Sequence, residues 1–230
     1  SEEEFRKRFF LEASLCARLS HPHIVRIFDF GCDGGDTFYI AMEFVEGETI
    51  SRRIRRDGPF ATGLAVGLLR QICSALAEVH AQGMVHRDLK TSNLMLTSHA
   101  LQRDVVKLVD FGIAKELAAE SEITTTGSLL GSPAFMSPEQ ISGDPLDHRT
   151  DVYSLGIMLY KIVAGAYPFR ADNPQGILAG HLMREPADFS EVAPDAEIPD
   201  GLESIIRRCL KKSASERFAS ITELSVALEP

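Results

Sequence analysis

Apolar positions at the start of the chain recur at spacings near four. Phe5, Phe9, Leu11, Leu15 and Leu19 stand among charged residues, which predicts an amphipathic helix over 2–19. His21-Pro22-His23 breaks that helix. Two β-rich runs follow, "IVRIFDF" (24–30) and "TFYIAMEF" (37–44). The "GCDGGD" between them has Gly and Asp where a hairpin needs them. The period then returns to the helical one. Leu68, Leu69, Ile72, Leu76 and Val79 mark one face of a helix from about Thr62 to Gln82, and Gly83 stands where a left-handed cap is expected. "VVKLVDFG" (105–112) reads as a short buried strand ending in a turn. Residues 115–132 are rich in Ser, Thr, Gly and Ala, the composition of a mobile loop. A strongly apolar helix follows at 148–164, built on Leu155, Met158, Leu159, Ile162 and Val163. The rest, to Pro230, reads as helices and loops.

The order is thus a helix, a few strands, then mostly helices. That is an α+β class in which a small sheet-bearing part packs beside a larger helical part. The hinge is expected near "MEFVEGETI" (42–50), giving a small part over 1–46 and a large one over 47–230.

Composition narrows the function. The chain has 230 residues, 44% apolar and 25% charged, enough to bury a real core. A net charge of -9 argues against nucleic acid as a partner, because phosphate backbones need clustered Lys and Arg. The local cluster "RRIRR" (52–56) reads as a solvated helix face. Cys16, Cys32, Cys73 and Cys209 are far apart, as expected of reduced thiols in a cytoplasmic protein. The apolar run around "YSLGIMLY" is ended by Lys161 and is too short to span a bilayer, so no membrane segment is expected within this chain. The opening at Ser1, directly into a helical pattern, reads as a piece of a longer protein. His21 and His23 read as loop residues rather than metal ligands, and Asp33 and Asp36 as turn residues.

The densest chemistry lies in "MVHRDLKTSNLMLT" (84–97). Asp88 can orient a hydroxyl or take its proton. Lys90 can hold a phosphate oxygen, and Asn93 offers an amide oxygen to Mg²⁺. Asp110 ends the next strand, followed by Phe111 and Gly112. Two oxygen ligands from neighbouring strand ends, with a lysine beside them, suit a metal bound to a polyphosphate. Phosphoryl transfer needs little more than positioning and charge neutralisation.

"HRDLKTSN" and "DFG" resemble the catalytic and magnesium loops of protein kinases. "MSPEQ" (136–140), "DVYSLG" (151–156), "YPF" (167–169) and "ERF" (216–218) resemble later landmarks of that family in the same order. Lys90, two positions after Asp88, resembles the serine/threonine class, and "GSPAFMSPEQ" is most similar to bacterial kinases of eukaryotic type. The resemblance implies a bilobal kinase fold that uses ATP and Mg²⁺ on Ser/Thr hydroxyls of proteins. It implies Asp88 and Lys90 as catalytic, and Asn93 and Asp110 as magnesium ligands. Met42, Glu43, Val45 and Met95 would surround the adenine, with Met42 guarding a rear pocket. Glu12 takes the place of the helix glutamate that pairs with a strand lysine. Cys16, Ile27, His86 and Phe111 would stack as a column between the lobes. Asp151 would brace the catalytic loop, and Glu139 and Arg217 would form a buried pair. Arg87 before Asp88 implies switching by phosphorylation of the activation loop, with Thr124 and Thr126 the sites best spaced for it and a kinase dimer as the agent in trans. Ser132 stands where the family usually has a threonine touching Asp88 and Lys90.

The sequence departs from the family at its beginning. Neither a glycine-rich loop nor a V-A-I-K strand precedes Glu12, and Lys7 lies on the same helix as Glu12. Taken by itself, the chain is expected to show negligible transfer. The alternative reading is a catalytically inactive kinase-like scaffold, against which the full set of Asp88, Lys90, Asn93 and Asp110 argues.

Overall fold

The computed structural model describes residues 2–34, 37–99, 102–110 and 132–229. Helix α1 (Glu2–Ala17) is followed by an antiparallel hairpin of β1 (Ile27–Asp33) and β2 (Thr37–Met42). Phe9, Ala13 and Cys16 form the buried face of α1, whereas Leu11 is 60% exposed. The apolar face expected of α1 is corrected accordingly: geometry selects i, i+4 and i+7, and two of those three positions carry small residues. Phe5, Phe9 and Cys16 meet Ile27, Phe30, Phe38 and Ile40 of the hairpin in a small cluster. The Phe38 ring lies 5.1 Å from Phe5 and 4.8 Å from Phe9, within the range of favourable tilted aromatic pairs.

The first strand begins three residues later than the apolar run suggests. His23–Val25 run instead beside β5 (Gln102–Leu108), with Leu108 N–H donating to His23 O at 2.9 Å and Val25 N–H to Leu108 O at 2.9 Å. His23 Nδ1 bonds Val106 O and His21 Nε2 bonds Ser74 Oγ, both at 3.0 Å. The two histidines therefore tie the segment after α1 to the large part of the molecule. Leu19 and Ile24 pack there against Ala75, Val79 and Met84.

The chain crosses into the large part at Glu43–Gly47. Gly47 has φ 156°, and a Cβ built on it would stand 2.1 Å from the Leu96 carbonyl oxygen, so only glycine lets the crossing lie this close. A three-stranded sheet follows, β3 (Glu48–Thr49), β4 (Leu94–His99) and β5, all antiparallel. The sequence reading expected only the last of these. β3 has two residues and β4 has six, and both are fixed by pairing rather than by a run of β-formers.

Between them lie α2 (Ile50–Asp57) and α3 (Thr62–Ala81). Thr49 Oγ1 caps α2 by accepting from Arg52 N–H at 3.1 Å. Among the described residues, α3 is the helix long and apolar enough to cross a bilayer. Here it packs against β5, α5 (Arg149–Ala164) and α9 (Ile221–Ala227) instead, burying Leu68, Leu69, Ile72, Leu76 and Val79. The remaining helices are α4 (Pro138–Ser142), α6 (Pro174–Met183), α7 (Phe189–Val192) and α8 (Asp200–Cys209). The core centres on α5, buried at every position from Thr150 to Ala164 except Lys161. A helix apolar on all sides is a core helix.

Candidate active site

The catalytic loop runs between α3 and β4. Its shape is imposed from below by Asp151, on the first turn of α5 and fully buried. Asp151 Oδ2 accepts from His86 N–H at 2.9 Å and Oδ1 from Arg87 N–H at 3.0 Å. Arg87 is held at φ 63°, a left-handed conformation that costs about 1–2 kcal/mol in a residue with a Cβ. Two bonds from a buried carboxylate supply that cost. A third group bonds the same carboxylate: His80 Nε2, in the last turn of α3, 2.7 Å from Asp151 Oδ2. The sequence reading missed His80. A histidine ending a helix reads as a favourable charge at the helix dipole, and its partner is 71 residues away.

His86 is buried and its Nδ1 accepts from Asp88 N–H at 3.3 Å, so the other ring nitrogen carries the proton. Burial lowers the pKa of His86 and keeps the ring neutral, although Asp151, Asp88 and Asp110 pull the other way.

Asp88, Lys90 and Asn93 come together above this base. Lys90 Nζ lies 2.9 Å from Asp88 Oδ2. Asn93 Nδ2 donates to Asp88 O at 3.1 Å and to Asp88 Oδ2 at 3.3 Å. With its nitrogen committed to Asp88, the Asn93 amide oxygen points elsewhere. Val109 N–H donates to Asn93 O at 3.0 Å, which sets Asp110 on the neighbouring segment. Asp110 is exposed at the end of β5. An amide oxygen and a carboxylate on two tied segments are hard donors of the kind Mg²⁺ takes, so the residues present fit that ion.

The other expected site residues are distributed as follows. Glu43 N–H donates to Arg26 O at 2.8 Å, and its carboxylate accepts from Arg26 N–H at 3.2 Å and from Lys107 Nζ at 3.0 Å. The crossing segment is thereby pinned to β5. Met95 lies on β4 between Thr49 and Lys107. Val45 is half-buried on the crossing segment. Met42, the expected guard of a rear pocket, is 43% exposed, so the described residues do not enclose one around it. Glu12 faces the catalytic loop. Burial raises its carboxyl, and the charges of Arg87 and Arg8 draw it back. Lys7 pairs with Glu3 at 2.9 Å on the outside of α1. Cys16 sits in the small cluster with Ile27, and burial pushes its thiol up to about 12, which makes it an apolar filler. Phe111, Thr124 and Thr126 lie outside the described residues. Ser132 opens the next described segment, half-buried, before a 3₁₀ turn at Pro133–Phe135.

Glu139 and Arg217 form a two-pronged pair, Nη1–Oε1 and Nη2–Oε2 both 2.7 Å. The remaining guanidinium donors go to the carbonyls of Arg149, Lys211 and Lys212 at 2.8–3.0 Å. All five donors are used, which is what lets an arginine be 2% exposed. Burial alone would raise the Glu139 carboxyl, but Arg217, together with the hydrogen bonds from Thr150 and the backbone, holds it below the usual range. Gln140, next to Glu139, donates to Arg87 O at 2.7 Å, so the pair's helix also touches the catalytic loop.

Residues 1–226 match the protein kinase domain family. The chain belongs to that family. It is 37% identical over 232 residues to the serine/threonine-protein kinase pkn3 of Myxococcus xanthus, covering 100% of this chain and 42% of that protein. It is 40% identical over 223 residues to a probable serine/threonine-protein kinase of Clostridium acetobutylicum, covering 97% of the chain and 33% of that protein. PknD of Mycobacterium tuberculosis is 36% identical over 223 residues, with 97% and 32% covered. The chain thus spans less than half the length of these relatives. In fold it matches a crystal structure of Rad53 in complex with AMP-PNP, with a TM-score of 0.79 and 23% identity over 95% of this chain and 53% of that one. The resemblance to bacterial kinases of eukaryotic type and the kinase-like α+β fold both agree with these matches.

Proposed function

We propose that the protein carrying this chain is a serine/threonine protein kinase, transferring the γ-phosphate of ATP to Ser and Thr hydroxyls of other proteins. The observation that carries this reading is the Asp88 carboxylate, held by Lys90 and Asn93 on a loop whose backbone is fixed by Asp151. A scaffold has no use for a carboxylate positioned in this way. Asp88 would orient the substrate hydroxyl and accept its proton as the oxygen attacks phosphorus. Lys90 would move from Asp88 towards the γ-phosphate and neutralise its charge. Asn93 and Asp110 would hold magnesium, which neutralises charge on the phosphates. Glu43 and Val45 would present backbone groups to the adenine edge, with Met95 beneath it and Met42 behind. The small lobe and hinge would end near residue 46, with the large lobe over 47–230. Phosphorylation at Thr124 or Thr126, delivered within a kinase dimer, would regulate it by pairing with Arg87. Ser132 would touch Asp88 and Lys90, and a cytoplasmic setting would supply the ATP.

The test is transfer from radiolabelled ATP to a protein substrate by the gene product, followed by identification of the labelled amino acid. Phosphoserine or phosphothreonine is expected, and Asp88→Asn should reduce the rate by about 10²–10⁴-fold. Equal rates for wild type and Asp88→Asn, or no transfer by either, would favour the scaffold reading.

A further inference from the structure

His181 on α6 is a buried histidine that the kinase reading does not use. It is 1% exposed. Phe169 meets its ring in a T-shaped contact, with centroids 4.8 Å apart, and Lys212 Nζ donates to the neighbouring Gly180 carbonyl at 3.2 Å. Burial, with the Lys212 charge second, pulls the His181 pKa down to about 4. The ring is therefore neutral and has one N–H to place.

Its two nitrogens are placed differently. Nδ1 lies 2.9 Å from the Tyr153 hydroxyl of α5. It is the acceptor that this buried hydroxyl meets, so the hydroxyl donates to Nδ1 and the ring proton stays on Nε2. Nε2 is buried and makes no hydrogen bond among the described residues. The Pro133 carbonyl stands close enough to favour the ring's proton, although short of a bond. That carbonyl is itself weakly held, accepting from Met136 N–H at 3.4 Å. A buried donor and an under-used acceptor are thus neighbours. Pro133 opens the turn Pro133–Phe135, one residue after Ser132, and the turn packs on both α5 and α6. α5 grips its far end, where Ser154 Oγ donates to Phe135 O at 2.9 Å. At its near end the donor in reach is the His181 N–H.

We propose that His181 is a positioning residue for the protein substrate. Its Nε2–H donates to the Pro133 carbonyl as the turn seats against the acceptor chain, which fixes Ser132 relative to the catalytic loop. This rests on the kinase reading, in which Ser132 meets Asp88 and Lys90. Because His181 acts through the turn, its loss weakens the hold on the acceptor and leaves the handling of ATP as it is.

The experiment compares His181→Gln with His181→Asn in the full gene product. A glutamine amide places a donor where Nε2–H stands, whereas an asparagine amide reaches only as far as Nδ1. Transfer to casein and hydrolysis of ATP without an acceptor are both measured. KM for casein should rise roughly three- to tenfold in His181→Asn, the worth of one neutral hydrogen bond, and return towards the wild-type value in His181→Gln. Hydrolysis of ATP should be unchanged in both. Amide exchange at Phe135 should be faster in His181→Asn than in His181→Gln. A merely structural role predicts the reverse order, since asparagine keeps an acceptor for Tyr153 and glutamine loses it. That reverse order, or equal KM and exchange in the two variants, would overturn the proposal. Transfer with KM for casein unmoved in both would overturn the part given to His181 alone. No transfer by wild type would overturn the kinase reading, and the positioning role falls with it.

Discussion

The two lobes are built to different standards. Among the described residues, the small lobe is one helix on one hairpin, and its cluster has Phe9 and Cys16 as its buried members. It leaves Phe28 66% and Phe44 90% exposed. The large lobe surrounds a helix that is buried on every side, and the polar groups on that helix are all engaged. Thr150 bonds Glu139, Tyr153 bonds His181, Ser154 bonds Phe135 O and Tyr160 bonds Ala187 O, all at 2.8–2.9 Å. The catalytic loop takes its shape from the second kind of structure. Its backbone hangs from Asp151 on α5, so the groups that would act on phosphate and hydroxyl inherit the rigidity of the better-packed lobe.

The largest effect should come from opening the large lobe's buried pair. Arg217→Leu leaves the Glu139 carboxylate without its partner in a site 13% exposed on that side chain, and should cost about 3–5 kcal/mol in chemical denaturation. A shift of less than about 1 kcal/mol would mean the pair adds little. A smaller effect is expected in the small lobe. Phe38→Ala removes two of the three aromatic contacts between α1 and the hairpin, leaving Phe10 on Phe30, at a cost of about 1–3 kcal/mol that is confined to that lobe. Proteolysis within β1–β2 should quicken while the main unfolding transition stays in place. If the main transition moves as well, the lobes unfold as one. The smallest effect is in pH. The Glu139 carboxyl is lowered from 4.5 in the folded state, so its contribution is complete above pH 4.5 and fades as pH falls through the lowered value. Stability of wild type relative to Glu139→Gln should therefore decline below pH 4.5 and be level above it, measured by denaturant titration across that range.

These contrasts explain what the sequence could reveal. α3 and α5 were legible because long apolar periods survive any packing. β3 and β4 were not, because Glu48–Thr49 and Leu94–His99 are strands only through their partners. Leu11 was misread because hydrophobicity does not say which face of α1 meets the hairpin, and Ala13 and Cys16 fill that face with little apolar signal. In the site, Asp88, Asn93 and Asp110 stood out as polar residues crowded between apolar runs. His80 did not, since its role exists only once α3 and α5 cross. Glu12 was legible as a position, but its nearness to Arg87 is a matter of tertiary structure.

The central claim is that the catalytic loop belongs mechanically to the large lobe. Amide hydrogen exchange under increasing denaturant tests it most directly, comparing the His86 and Arg87 amides with those of Leu159 in α5 and Ile40 in β2. The account predicts that His86 and Arg87 exchange only when Leu159 does, through unfolding of the large lobe, while Ile40 exchanges earlier through local opening. Exchange of His86 and Arg87 together with Ile40, ahead of Leu159, would contradict it.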